Sequence, residues 1–149
     1  MRSSIEVLSA IGAPTTEVGD PVASLRQWAL KVMIAAGDDS EVATALEYFG
    51  RPTNWYDLWT AYEIIEDDLW NSTPSKMRPK PTKKLRAKRV LLMSRKWVSE
   101  ADFRTFAESC NYHRHGRRRP LKPEQSANED QARLMLAHII QHWIEEKIA

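Results

Sequence analysis

The chain has 149 residues, 42% hydrophobic and 28% charged, with a formal net charge of +2 and one cysteine. That length holds one domain of ordinary size, and the hydrophobic fraction with its six tryptophans excludes a disordered chain. No apolar run approaches the roughly 20 residues of a membrane span, and a lone Cys110 with no secretion signal predicts a cytoplasmic protein.

In chain order, Ile5, Leu8 and Ile11 predict one or two helical turns, followed by turn residues. Asp20 as N-cap and Pro21 at the first helical position open a helix that turns Leu25, Trp28, Val32 and Ala36 inward and stops at Gly37. A second helix starts near Ser40, buries Val42, Leu46 and Phe49, and ends at Gly50. Trp55, Leu58, Trp59, Tyr62, Ile65 and Leu69 form the i, i+3, i+4, i+7 stripe of a third. Its other face carries Asp57, Glu63, Glu66, Asp67 and Asp68. The last three sit at the negative end of the helix dipole, where a nearby cation would relieve them.

Residues 71–82 hold three prolines and no apolar pattern, so they read as a linker or loop. Residues 83–96 read either as a basic helix, with Leu85, Arg89, Leu92 and Lys96 in line, or as a short buried strand at 90–93; periodicity does not separate the two. Ser99 and Asp102 form a capping box ahead of Phe103, Phe106, Ala107 and Cys110. The stretch NYHRHGRRRP, residues 111–120, reads as a loop closed by Pro120 and Pro123. Ser126 and Glu129 offer a second capping box before a final helix with Ala132, Met135, Leu136, Ile139, Trp143 and Ile144 inward. With no alternating pattern anywhere, the prediction is all-α: a single compact domain of five or six helices around a Trp-rich core. Residues 1–70 form an acidic helical part, 71–82 the linker, and 83–149 a basic helix, an arginine loop and a C-terminal helix, folded as one unit.

Charge is divided along the chain. Residues 1–70 hold 4 Lys/Arg against 12 Asp/Glu, residues 71–123 hold 16 against 3, and residues 124–149 hold 2 against 5. Such asymmetry predicts either a basic surface for a polyanion or acidic and basic parts that pair. One cluster is Lys80, Lys83, Lys84, Arg86, Lys88 and Arg89; the other is Arg114, Arg117, Arg118 and Arg119. Folding the segment between them places both on one surface, where arginine forks take phosphate oxygens and lysines act as point charges. Tyr112, His113 and His115 would stack on unpaired bases. Because the helix after Ser99 carries Arg104 as its one cation before Arg114, the expected partner is DNA or RNA backbone rather than a base sequence.

Other chemistries find less support. His138 and His142 share a helix face near Glu145 and Glu146, but there is no HExxH or CxxC, so no metal is predicted. No Gly-rich phosphate loop points to a cofactor. His113 or His115 could serve as a general base oriented by Glu108 or Asp102, yet no nucleophile motif accompanies them and Cys110 reads as an inert core residue. The prediction is a non-catalytic, regulatory binding protein. The alternative is an adaptor or inhibitor that uses Asp57, Glu63, Glu66, Asp67, Asp68 and the basic loop on protein partners or on itself.

Two patterns together resemble a known group. NWYDLWTAYEIIEDDL at residues 54–69, DFRTFAES after a basic spacer, RHG at Arg114, His115 and Gly116, a proline-bearing loop and a last helix ending in HWI are similar to uncharacterised bacterial, mobile-element or phage-like helical proteins. The likeness spans roughly residues 54–144. It implies a bacterial or mobile-element origin and singles out Arg114, His115 and Gly116, without implying an activity. The additional arginines after Gly116 and the N-terminal third depart from the pattern.

Overall fold

Asp39 turns the chain from its first helix into its second. Its carboxylate accepts the Glu41 and Val42 N–H groups at 3.0 and 3.1 Å, so α1 (Pro21–Asp38) ends where α2 (Ser40–Gly50) begins. The computed structural model describes residues 21–51, 54–83, 85–115 and 126–149. The turns expected around Ile5 to Ile11 and the Asp20 cap lie outside them, as do Lys84, Gly116, Arg117, Arg118, Arg119, Pro120 and Pro123. Asn54 caps α3 (Trp55–Ser72) by accepting the Asp57 N–H at 2.7 Å. In the linker lies one 3-10 turn, Ser75–Met77. The ambiguous basic segment is helical, α4 (Ala87–Ser94), and no strand occurs among the described residues.

Ser99 accepts the Asp102 N–H at 3.0 Å and donates its hydroxyl to the Asp102 carboxylate at 2.7 Å, opening α5 (Glu100–His115). Here the expected loop at residues 111–120 is corrected, because α5 continues through Asn111, Tyr112, His113, Arg114 and His115. His113, Arg114 and His115 lie at the end of the helix whose dipole favours cations, and two of them pack on α3. The last cap is also corrected. Asn128 and Gln131, not Ser126 and Glu129, make the reciprocal capping box of α6 (Glu129–Ile148), while the Ala127 N–H donates to the buried Ser109 hydroxyl at 2.8 Å and fixes the approach.

The chain is all-α, six helices among the described residues in one compact arrangement, with α3 at the centre against α2, α4, α5 and α6. The stripe Leu58, Trp59, Tyr62, Ile65 and Leu69 is buried there, while α1 brings Trp28 and Val32 to the same core. Of the six tryptophans, Trp28, Trp59 and Trp143 are buried; Trp55, Trp70 and Trp97 pack at its margin. Arg133 is buried on α6 and donates to the Phe49 and Arg51 carbonyls, each at 2.8 Å, closing the C-terminal end of α2.

The acidic end of α3 is met by cations from the same chain. Lys88 Nζ lies 2.6 Å from Asp67, Arg89 Nε 3.6 Å from Glu66, and Lys147 Nζ 3.0 Å from Asp68. Asp68 also accepts the Trp143 indole N–H at 2.9 Å, and Lys147 reaches Asp39 at 2.6 Å. Burial opposes ionisation of Asp39, but the Lys147 hydrogen bond and the two capping N–H groups outweigh it and hold the carboxyl below its ordinary 3.8. Burial likewise opposes the Lys147 ammonium, and its bonds to Asp39 and Asp68 outweigh that and raise it above 10.5. Stability from the lowered carboxyl is present above about pH 4 and lost as pH falls through its folded value; that from the raised ammonium is present below 10.5 and lost as pH rises through its folded value. Lys147→Met is therefore expected to cost about 1–2 kcal/mol between these limits. In urea melts across pH, the gap between wild type and variant should be widest near neutrality and shrink at both extremes; a pH-independent gap would contradict the assignment.

Candidate functional site

Helices α3 and α5 run antiparallel, so the first turn of one meets the last turn of the other. Trp55 stacks face to face on His113, ring centroids 4.4 Å apart and 7° from parallel. Tyr112 stands edge-on to the same imidazole at 5.1 Å. One turn further into α3, Trp59 packs on Phe106, and Tyr62 packs on both Phe103 and Phe106. The seam is thus a ladder of rings that is buried at Tyr62 and opens to solvent at Tyr56, which is 57% exposed.

Two arginines approach this ladder, one from each basic cluster. The Arg89 guanidinium from α4 lies 5.5 Å from the Trp59 ring and 5.3 Å from Phe103. The Arg114 guanidinium lies 5.0 Å from the same Trp59 ring and 5.3 Å from Tyr56. Their electrostatic settings differ. The Tyr62 hydroxyl donates to Glu66 at 2.8 Å, and Arg89 Nε lies 3.4 Å from that hydroxyl and 3.6 Å from Glu66, so its charge is compensated inside a polar network. Burial, then the Glu66 charge, pushes the Tyr62 phenol well above its ordinary range, keeping it a neutral donor. Arg114 faces no carboxylate among the described residues, and its Nε is buried without a hydrogen-bond partner. A buried donor with none costs roughly 1–3 kcal/mol, and among the described residues the Trp59 and Tyr56 ring faces offset that. Burial also pushes the adjacent Cys110 thiol up to about 12, with Arg114 pulling the other way, so it is a poor nucleophile at neutral pH.

The predicted residues therefore fall into three groups. Lys88 and Arg89 are held by Asp67 and Glu66. Lys80, Lys83 and Arg86 are exposed and make no ion pair among the described residues. Arg114, exposed His115 and half-buried Tyr112 lie on the last turn of α5. Of the acidic set, Asp57 lies 3.7 Å from Arg51, and Glu66, Asp67 and Asp68 are paired as described; Glu63 is exposed and makes no ion pair among the described residues. His138 and His142 stack on one another at 6.5 Å, and His142 on Trp97 at 6.4 Å. Among the described residues no three His, Cys, Asp or Glu side chains are grouped to hold a metal ion, and no helix is long and apolar enough to cross a membrane.

Sequence reasoning passes over Trp55, Tyr56 and Trp59 as site residues. Trp55 and Trp59 belong to the apolar stripe and read as core, whereas Tyr56 sits off the stripe. An aromatic outside the stripe on the first turn of a helix was the available signal. No protein-family model, curated protein or solved structure matches the chain.

Proposed function

We propose that the protein is a non-catalytic nucleic-acid-binding protein that contacts the sugar–phosphate backbone through the joined ends of α3 and α5. What supports this reading most is Arg114. Its guanidinium is held over Trp59 and Tyr56 and, among the described residues, has no carboxylate partner and keeps a buried Nε without a hydrogen bond. A cation fixed by ring faces and uncompensated among the described residues attracts an external anion, and phosphate matches the guanidinium fork. The positive end of the α3 dipole and the negative end of the α5 dipole meet beside it and offset one another, so the guanidinium itself supplies the attraction. Lys80, Lys83 and Arg86 are exposed cations that can add to the footprint, and in the sequence three more arginines follow within four residues of His115. The acidic face of α3 is largely engaged by Lys88, Arg89 and Lys147, which removes the main support for an acidic docking surface.

The test is fluorescence anisotropy of labelled DNA and RNA over a range of salt concentrations. Affinity should fall steeply with salt, reporting several displaced counterions. Arg114→Gln should weaken binding to all sequences alike and reduce the magnitude of the salt slope by about 1, the signature of one lost phosphate contact. No binding at low salt overturns the reading.

A further inference from the structure

We infer that this surface prefers unpaired strands, taking an exposed base on the Tyr56 ring while Arg114 holds an adjacent phosphate; the inference rests on the backbone-binding reading above. A backbone-only site needs cations and no exposed rings. Here a guanidinium with no carboxylate partner among the described residues is set among rings: Tyr56 is 57% exposed and 5.3 Å from it, and the Trp55–His113 stack and Tyr112 are close by on the same two helix ends. These rings sit on helical turns; Trp55, His113 and Tyr112 brace one another and Arg114 lies over Tyr56, so little ordering is left for a ligand to impose. An unpaired base offers a π-face to such a platform, whereas in a duplex both faces are already stacked on neighbouring pairs.

Besides the buried Tyr62–Arg89 pair, another tyrosine–arginine pair gives a contrast. The Arg51 guanidinium lies 4.2 Å from the Tyr48 ring, but Glu47 at 2.7 Å and Asp57 at 3.7 Å surround it with carboxylates. Those carboxylates would repel a phosphate brought to that ring. Of the two pairs, only Tyr56–Arg114 combines an open ring with a cation lacking a carboxylate among the described residues.

Matched single-stranded and duplex oligonucleotides of about 12 units, DNA and RNA in separate arms, are within the span of an ordinary single-strand site. Single strands are expected to bind roughly tenfold more tightly than the duplexes at equal salt, as stacking of one base provides. Tyr56→Ala should erase most of that ratio and Tyr56→Trp should keep it; because Tyr56 is exposed, circular dichroism should show both variants folded. A DNA–RNA difference within the single-strand arms identifies which strand the surface takes. Equal affinity for single strand and duplex, or a ratio unchanged in Tyr56→Ala, overturns the inference and leaves backbone binding standing. Failure of every oligonucleotide to bind overturns both.

Discussion

Phe106→Ala is expected to lower the unfolding free energy by about 4 kcal/mol, the cost of removing a fully enclosed phenyl ring from a core that collapses incompletely. Phe106 has no exposed surface, and its ring lies 5.9 Å from Tyr62, 6.1 Å from Trp59 and 6.2 Å from Phe103. These edge and offset contacts add to simple area burial. With a denaturant slope of about 2 kcal/mol per molar, the urea midpoint should drop by roughly 2 M, and Phe106→Leu should lose less than half as much. A loss under about 1 kcal/mol in Phe106→Ala would mean that α3 and α5 do not meet as described. The same variant removes the ring beneath Trp59, and with it support for the perch of Arg114.

Arg133→Met is expected to cost about 3 kcal/mol, which corresponds to a fall of roughly 6–12 °C in melting temperature for a chain of this size. Methionine fills much of the volume but donates nothing. The Phe49 and Arg51 carbonyls, each taking a charged hydrogen bond at 2.8 Å, would lose it at the negative end of the α2 dipole, one of them in a buried site. Arg133→Lys should restore less than half the loss, because an ammonium lacks the fork that reaches both oxygens. A melting temperature unchanged in Arg133→Met would show that α2 does not depend on α6 for its C-terminal closure.

Much of the fold is legible locally. Pro21 and Ser99 mark helix starts because their chemistry acts within one turn, and the α3 stripe fixes which face is inward. The lead-in to α6 is less legible, since the choice of Asn128 over Ser126 depends on a hydrogen bond from Ala127 to Ser109, eighteen residues away. The inward stripe of α1 is legible at Trp28 and Val32, both buried as expected, but its outer face is not. Leu30, Met33 and Ile34 are exposed, and a helix that is apolar on more than one side does not by itself explain why these residues are left uncovered.

The candidate site was legible in its charges and illegible in their compensation. Arg89 and Arg114 look equivalent in the sequence. What separates them is Glu66, which reaches Arg89 across the α3–α4 contact, whereas Arg114 pairs with no carboxylate among the described residues. The end of α5 departs from the expected loop for a related reason. Two histidines and an arginine ahead of a glycine suggest a turn, but Trp55 and Trp59 receive two of these side chains and hold them in helix.

The bridge at Lys147 also bears on the order of folding. It joins residues 108 positions apart to Asp39, and Trp143 reaches Asp68 across 75, whereas α2 and α3 are neighbours in the chain. Closing a loop of that length costs about 2 kcal/mol more entropy than closing one of ten residues. The α2–α3 hairpin is therefore expected to form before the rate-limiting barrier and the α6 clasp to close after it. In stopped-flow kinetics Lys147→Met should then speed unfolding while leaving the refolding rate nearly untouched, and slowed refolding would reverse the order. On that order, the final turn of α6 controls how long the folded state persists rather than how quickly it is reached.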